Sequence, residues 1–237
     1  MFNKYFEEMN IAVTDVQYAL LEKYYTLLIS ENEKYNLTAI TEKKEVFIKH
    51  FLDSMIIQNF FESYNVQTSH LKIIDIGTGG GFPGVPIKIR YPEISLVGLD
   101  ALNKRINFLN ILTDSLSLER CRFVHGRAED LAREKGQRES YDIAVSRAVA
   151  ELRMLLEYVM PFVKVGGYFV AYKSLKFDEE LIQAERALNE MKTLYLGSMK
   201  FQLPEGFGER ELMIFQKKEN ISNKYPRKAG TAKKSPL

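Results

Sequence analysis

Apolar side chains recur at helical spacing through the first seventy residues. Val16, Leu20, Tyr24, Leu27 and Leu28 share a face of a predicted helix, with Thr14 as its cap and Asp15 as a first-turn acid. A second helix is predicted after Thr41, its cap, with Glu42 in the first turn. There Phe47, Phe51, Met55 and Phe60 fall near one face, and Ile48, Leu52 and Ile56 lie beside it. Residues 35–40 show no period, and residues 65–70 are polar and read as a linker. From Leu71 the pattern changes. Short apolar runs at 71–76, 95–100, 121–125, 141–146 and 167–173 alternate with helical stretches at 86–90, 102–116, 128–133 and 152–159. Buried, nearly continuous strands separated by helices predict a parallel sheet with helices on both faces. A helix near 178–189 precedes two more strands, 192–201 and 211–216. The loop 204–208 joins them closely enough for an antiparallel hairpin. The expected fold is α/β: a seven-stranded, mostly parallel sheet with a helical N-terminal extension. The expected organisation is residues 1–70 for the extension, 71–217 for a Rossmann-like domain and 218–237 for a tail.

Composition narrows the classes. The 237 residues are 46% hydrophobic and 27% charged, ordinary for a globular protein. No run of about 18 apolar residues suggests a membrane span, and the acidic pair Glu7-Glu8 stands where a signal peptide needs an apolar stretch. One cysteine makes no internal disulfide, so a reducing cytoplasm is expected. The three histidines and Cys121 are not spaced as metal ligands, and no metal is expected. Net charge is only +2, but residues 217–237 carry seven basic side chains against one acid. A basic tail on a mildly acidic body suggests a polyanion partner, against the plainer reading of a solvated terminus.

The informative chemistry lies in Asp75-Ile76-Gly77-Thr78-Gly79-Gly80-Gly81-Phe82-Pro83-Gly84, between the first strand and a helix. Glycines there let the backbone take positive φ and approach a nucleotide-like ligand. Two registers compete. Gly79-x-Gly81-x-x-Gly84 fits a dinucleotide fingerprint. Asp75-x-Gly77-x-Gly79-x-Gly81 fits the D-x-G-x-G-x-G pattern of Rossmann-like methyltransferases, and it is preferred because the strand runs directly into Asp75 and Gly77. An acid at the strand end repels a pyrophosphate but suits the ammonium and sulfonium of S-adenosylmethionine. Asp100 ends the second strand, where a carboxylate accepts from ribose hydroxyls. Ala128 and Glu129 follow the third strand, where an adenine edge would sit; Glu129 and Asp130 also suit a helix's first turn.

The fourth strand ends in Ser146-Arg147-Ala148-Val149, the usual place for chemistry in this architecture. It is not the [DN]-P-P-[YFW] signature of exocyclic amine methylation, and no cysteine stands there for covalent attack on a pyrimidine. Arg147 stays protonated, so it can hold an anion but cannot act as a base. A site without a general base suits guanine N7, which carries a lone pair and no proton. That reasoning admits N7 and leaves other RNA or small-molecule acceptors open. An NAD-dependent oxidoreductase and a non-catalytic binder are the alternatives from other classes.

Six segments together resemble the bacterial RsmG family, also called glucose-inhibited division protein B. They are residues 35–40 (YNLTAI), 50–54 (HFLDS), 75–84 (DIGTGGGFPG), 126–129 (GRAE), 146–148 (SRA) and 225–231 (YPRKAGT). The resemblance implies a class I, S-adenosylmethionine-dependent enzyme that methylates N7 of one guanine in 16S ribosomal RNA, free or in the small subunit. It implies cofactor contacts at Gly77, Phe82, Ala128, Glu129 and Arg147, beside the motif residues Asp75, Gly79, Gly81 and Asp100. Lys173, Arg227, Lys228, Lys233 and Lys234 are the expected RNA-binding cations, no catalytic base is expected, and a monomer is the expected working unit.

Overall fold

The computed structural model describes residues 2–147, 150–173 and 178–237. Ala148 and Val149, expected at the end of the fourth strand, therefore lie outside the described residues. Helices α1 (Asn3–Glu8) and α2 (Asp15–Tyr35) open the chain. Thr14 caps α2 as predicted: its hydroxyl accepts from Gln17 N, and the Gln17 side chain accepts from Thr14 N at 3.0 Å, a reciprocal capping box. The second helical run starts one residue later than expected. Glu42, not Thr41, is the cap of α3 (Lys43–Val46), because its longer carboxylate reaches Glu45 N at 2.8 Å. The run widens into a π-turn over Phe47–Leu52 and continues through α4 (Asp53–Met55) and α5 (Gln58–Ser63).

Alternation then follows: β1 (Lys72–Ile76), α6 (Gly84–Arg90), β2 (Ser95–Asp100), α7 (Asn103–Leu116), β3 (Cys121–His125), α8 (Ala128–Leu131), β4 (Tyr141–Arg147), α9 (Leu152–Val159) and β5 (Val163–Lys173). The chain ends through α10 (Asp178–Gln183), α11 (Glu185–Glu190), β6 (Thr193–Gln202), β7 (Glu209–Lys217) and α12 (Thr231–Lys234). The seven strands form one sheet in the order β3-β2-β1-β4-β5-β7-β6. β1 to β5 are parallel, and β7 runs antiparallel between β5 and β6. The predicted hairpin is present, and β7 rather than β6 joins it to the parallel strands. β5 begins four residues earlier than its apolar run, since residues 164–166 are exposed and a register shift separates Tyr141 from Ile143.

Strand period two sends successive apolar residues to opposite sides. Ile73, Val145 and Val170 pack toward the N-terminal helices, α6 and α7, while Ile74, Ala144 and Ala171 pack toward α9 and the C-terminal segment. Phe47, Phe51 and Phe60 are completely buried in the first of these cores. At roughly 1.5–3 kcal/mol for each such side chain, the N-terminal helices are fastened to the sheet by large apolar contacts. Among the described residues no helix is long and apolar enough to cross a membrane.

The tail is packed. Ile221, Tyr225, Ala232 and Leu237 are buried. Lys217, counted with the tail's cations on charge alone, closes β7 with its ammonium completely buried; it donates to Glu139 at 2.7 Å and to the carbonyl of Val163 at 2.8 Å. Burial pushes that lysine down to about 8.

Candidate functional site

The four central parallel strands end on one side of the sheet, and the order reverses between β1 and β4, where open α/β sheets bind ligands. The glycine loop is laced to β2 there. Gly77 N and Thr78 N donate to Leu99 O at 2.8 and 3.0 Å, and Gly79 N donates to Asp100 Oδ2 at 2.9 Å. Gly77, Gly79 and Gly81 all take positive φ, at 75°, 59° and 101°. Their surroundings differ. A Cβ on Gly81 would lie 2.5 Å from Tyr24 Oη and 2.9 Å from side-chain atoms of Leu109 and Val85, whereas one on Gly79 would meet only Gly77 O, at 3.9 Å. Gly81 therefore serves packing, and Gly79 leaves backbone open to a ligand.

Two cavities meet at this loop, with Gly77, Asp100 and Ala101 common to both walls. The larger, about 440 Å³, adds Thr38, His50, Phe82, Arg105 and Arg147. The smaller, about 300 Å³, adds Arg127, Ala128, Glu129 and Tyr158. The structure thus brings together Gly77, Gly79, Phe82, Asp100, Ala128, Glu129 and Arg147 around two adjacent cavities.

Asp75 was expected to face the ligand, and the structure instead turns it under the loop. Its Oδ2 accepts from the Thr78 hydroxyl at 2.7 Å and from Gly84 N at 2.9 Å, and Oδ1 has no hydrogen-bond partner among the described residues. The close approach of Gly84, whose Cβ would collide with this carboxylate, explains the placement. Burial pushes the Asp75 carboxyl up to about 6, against the two hydrogen bonds that pull it down.

Arg147 sits in the larger wall, held from behind. Its Nη1 donates to Asp53 Oδ2 at 2.8 Å and to Lys49 O at 3.2 Å, and its Nη2 donates to His50 Nδ1 at 3.2 Å. The guanidinium carbon lies 5.1 Å from the Phe82 ring centroid. Asp53 is 2% exposed and has a second cation, Arg210 Nε, 3.3 Å from Oδ1. That contact has ion-pair distance without hydrogen-bond alignment. Burial raises the Asp53 carboxyl while both guanidiniums lower it. His50 Nδ1 lies 3.2 Å from both the Arg147 guanidinium and Lys49 O; it accepts from the guanidinium when the ring proton is on Nε2, which faces Thr38 Oγ1 at 2.8 Å. Burial first, then Arg147, pushes His50 down to about 3, so the ring is neutral near pH 7. Phe82 stacks between His50 at 4.4 Å and Tyr24 at 5.3 Å, and the Tyr24 hydroxyl donates to Gly80 O.

Sequence reasoning gave His50, Asp53, Arg105 and Tyr24 no role of their own. A usable signal was present for one pair. Asp53 lies among Phe51, Leu52, Met55 and Ile56, and an acid on so apolar a helix needs a partner. π-Turns are frequent at functional sites, and this one carries His50 to the cavity.

The expected RNA cations separate. Lys228, Lys233 and Lys234 are exposed. Lys173 donates to Glu180 at 2.8 Å and to Ala150 O at 3.2 Å. Arg227, expected on phosphate, is instead turned inward: its Nε and Nη2 grip the buried Glu157 carboxylate at 3.0 and 2.6 Å. A planar fork beside an otherwise uncompensated buried acid makes that pairing the favourable one.

The family model described as rRNA small subunit methyltransferase G, GidB, matches residues 17–210. A protein of Streptococcus agalactiae named Ribosomal RNA small subunit methyltransferase G is 47% identical over 232 residues, covering 97% of this chain and 95% of the relative. One of that name from Streptococcus gordonii is 43% identical, covering 100% and 98%. Two solved structures share the fold. The YcgJ protein of Bacillus subtilis has a TM-score of 0.52 at 14% identity, over 69% of this chain and 98% of that one. TYW2 of M. jannaschii, in complex with AdoMet, has a TM-score of 0.51 at 12% identity, over 70% and 76%.

Proposed function

The chain belongs to the rRNA small subunit methyltransferase G family, the GidB family, and from that premise we propose that it transfers a methyl group from S-adenosylmethionine to N7 of one guanine in 16S ribosomal RNA. The observation that carries this reading is the pair of cavities joined at Gly77, Asp100 and Ala101, beside a loop whose Gly79 has open space where a Cβ would stand. These residues fit the cofactor: Asp100, a strand-end carboxylate common to both walls, would take the ribose, with the glycine loop on one side and Ala128 and Glu129 on the other.

When bound, the cofactor supplies a methyl group on a positively charged sulfur, so the acceptor needs only a lone pair in line. In this reading Asp100 accepts from the ribose hydroxyls, exchanging the bond it now takes from Arg105 Nη1 at 3.1 Å. Ala128 and Glu129 receive the adenine edge in the smaller cavity. Gly77, Gly79 and Phe82 line the methionine side, and Asp75 and Gly81 brace the loop from behind. Arg147 carries a fixed positive charge there, suited to the methionine carboxylate or to an RNA phosphate. His50, at about 3 and with both ring nitrogens engaged, is no proton acceptor near pH 7. Such a wall suits N7, which has no proton to lose. The chain's contribution to rate is then alignment of N7 with the methyl carbon and sulfur, an effect worth up to ~7–11 kcal/mol.

On the RNA side, Lys228, Lys233 and Lys234 are the cations offered to phosphates, because Glu157 holds Arg227 and Glu180 pairs with Lys173. This substrate implies a cytoplasmic setting. One chain lines both cavities, which suits a monomer as the working unit. The test is to treat undermethylated ribosomal RNA with the protein and labelled cofactor, then map 7-methylguanine by strand cleavage. One labelled guanine in 16S RNA is expected. Label on an amine or hydroxyl, or no transfer to RNA, overturns the reading.

A further inference from the structure

The end of the chain packs behind one wall of the smaller cavity, on the wall residue Glu129, and three sets of contacts hold that end in place. Glu157, 0% exposed on α9, takes Arg227 N at 2.7 Å, Arg227 Nε at 3.0 Å and Nη2 at 2.6 Å. Arg138 donates to the carbonyls of Ile221 and Tyr225, both at 2.8 Å, and Arg133 to that of Pro226. Tyr225 and Leu237 sit in the same apolar cluster as Ala128, which lines the cavity. Three residues past Arg227 the chain turns at Gly230, φ 82°, and its N–H donates to Glu129 Oε1 at 3.0 Å. Glu129 lines the cavity from the α8 side. Tyr158, adjacent to Glu157 in sequence, lines it from the α9 side.

We propose that the C-terminal segment is a strap whose Arg227 and Gly230 act as positioning residues for cofactor binding, orienting Glu129 in the wall of the smaller cavity. The inference rests on the cofactor reading above. The anchoring is asymmetric. Arg227 fixes the strap to α9, and the Gly230 amide then fixes which way one Glu129 oxygen turns. The same turn leaves Lys228 and Lys233 exposed, so strap and phosphate contact are separate duties of neighbouring residues. Lysine at 227 would keep the backbone N–H to Glu157 but lose the two-pronged grip.

The experiment measures S-adenosylmethionine affinity by calorimetry and RNA affinity by filter binding, on the full chain. Variants are Arg227→Ala, Arg227→Lys, Glu129→Gln, the double Arg227→Ala/Glu129→Gln, and Lys228→Ala as the exposed neighbour. Arg227→Ala is expected to weaken cofactor binding about tenfold, the scale of one misdirected charge-assisted hydrogen bond. It should raise KM for the cofactor and hold kcat within about twofold at saturation. Arg227→Lys should recover part of the loss, and Lys228→Ala should leave cofactor affinity unchanged. In the Glu129→Gln background, Arg227→Ala should lose most of its effect, because both changes act on one carboxylate. Full additivity of the two losses overturns the proposal. So does weakened RNA binding with unchanged cofactor affinity, the signature of a phosphate contact. If Arg227→Ala fails to fold, the Arg227→Lys and Glu129→Gln pair gives the same cycle. A parent chain that binds no S-adenosylmethionine refutes the cofactor reading itself, a distinct outcome.

Discussion

Replacing Asp53 with alanine removes the only carboxylate between Arg147 and Arg210 among the described contacts of these two cations. Arg147 is 16% exposed and cannot simply turn into water, whereas Arg210, at 21%, lies on the hairpin strand with more freedom to do so. Breaking a buried ion pair by deleting one partner costs about 3–5 kcal/mol, because the other charge stays desolvated. The partial exposure of Arg147 and its remaining bond to Lys49 O argue for the lower end, ~3 kcal/mol. For a chain of this length 1 kcal/mol moves the melting temperature by roughly 2–4 °C, so a fall of about 6–12 °C is expected. Differential scanning calorimetry measures it, with cofactor titration alongside. The double variant Asp53→Ala/Arg147→Met removes both charges and should regain at least half of the lost stability while remaining inactive. A single variant within about 2 °C of the parent, or a double variant no more stable than the single, would refute the argument that Asp53 is there to compensate Arg147.

Glycine substitutions should divide. Gly81→Ala meets Tyr24 and two aliphatic side chains and should prevent stable folding, while Gly79→Ala, strained in φ but facing open space, should keep a cooperative melt and lose cofactor binding in calorimetry. His50 gives a pH signature: it binds no proton in the folded state until about pH 3, whereas the unfolded chain takes one up near 6.5. Parent stability therefore falls as pH is lowered through that window, and His50→Gln should gain on the parent by ~1.4 kcal/mol per pH unit below about 6; parallel urea-derived stability curves would refute this. Neutralising Lys228, Lys233 and Lys234 together should lower the log–log salt slope of RNA binding by about 2.1, at ~0.7 per contact, and an unchanged slope removes them from the RNA surface.

Period and punctuation were enough to read the sheet, because buried parallel strands leave short apolar runs that helices interrupt. The glycine loop was equally legible, since Gly77 and Gly79 need conformations that few other residues tolerate. What could not be read depends on contacts across long separations. Nothing local tells that Asp53 meets an arginine 94 residues away, or that burial and that same arginine will hold His50 neutral. The tail misled for a physical reason. Ile221, Tyr225 and Leu237 are spaced without a period, and the segment from Ile221 to Pro226 is anchored by Arg133 and Arg138 reaching backbone carbonyls, which leave no compositional trace. Arg227 counts as surface charge until Glu157 is seen beneath it.

The apolar face of α2 and the π-turn has a consequence for synthesis, which proceeds from the N-terminus. Tyr24, Phe47 and Phe51 emerge first, yet much of the core they belong to arrives late: Leu109 and Leu112 on α7, Tyr172 on β5, Leu212 and Ile214 on β7. The Tyr172 hydroxyl that donates to Ser54 O at 2.7 Å is made 118 residues after its partner, and Glu205 reaches Tyr5 after 200. Loop closure of that length must be met before such contacts repay it. At about 5–20 residues per second, the interval between Phe51 and Ile214 leaving the ribosome is roughly 8–30 seconds. Throughout it, the nascent helices hold greasy surface with only part of its native cover, a natural stretch for a chaperone to occupy.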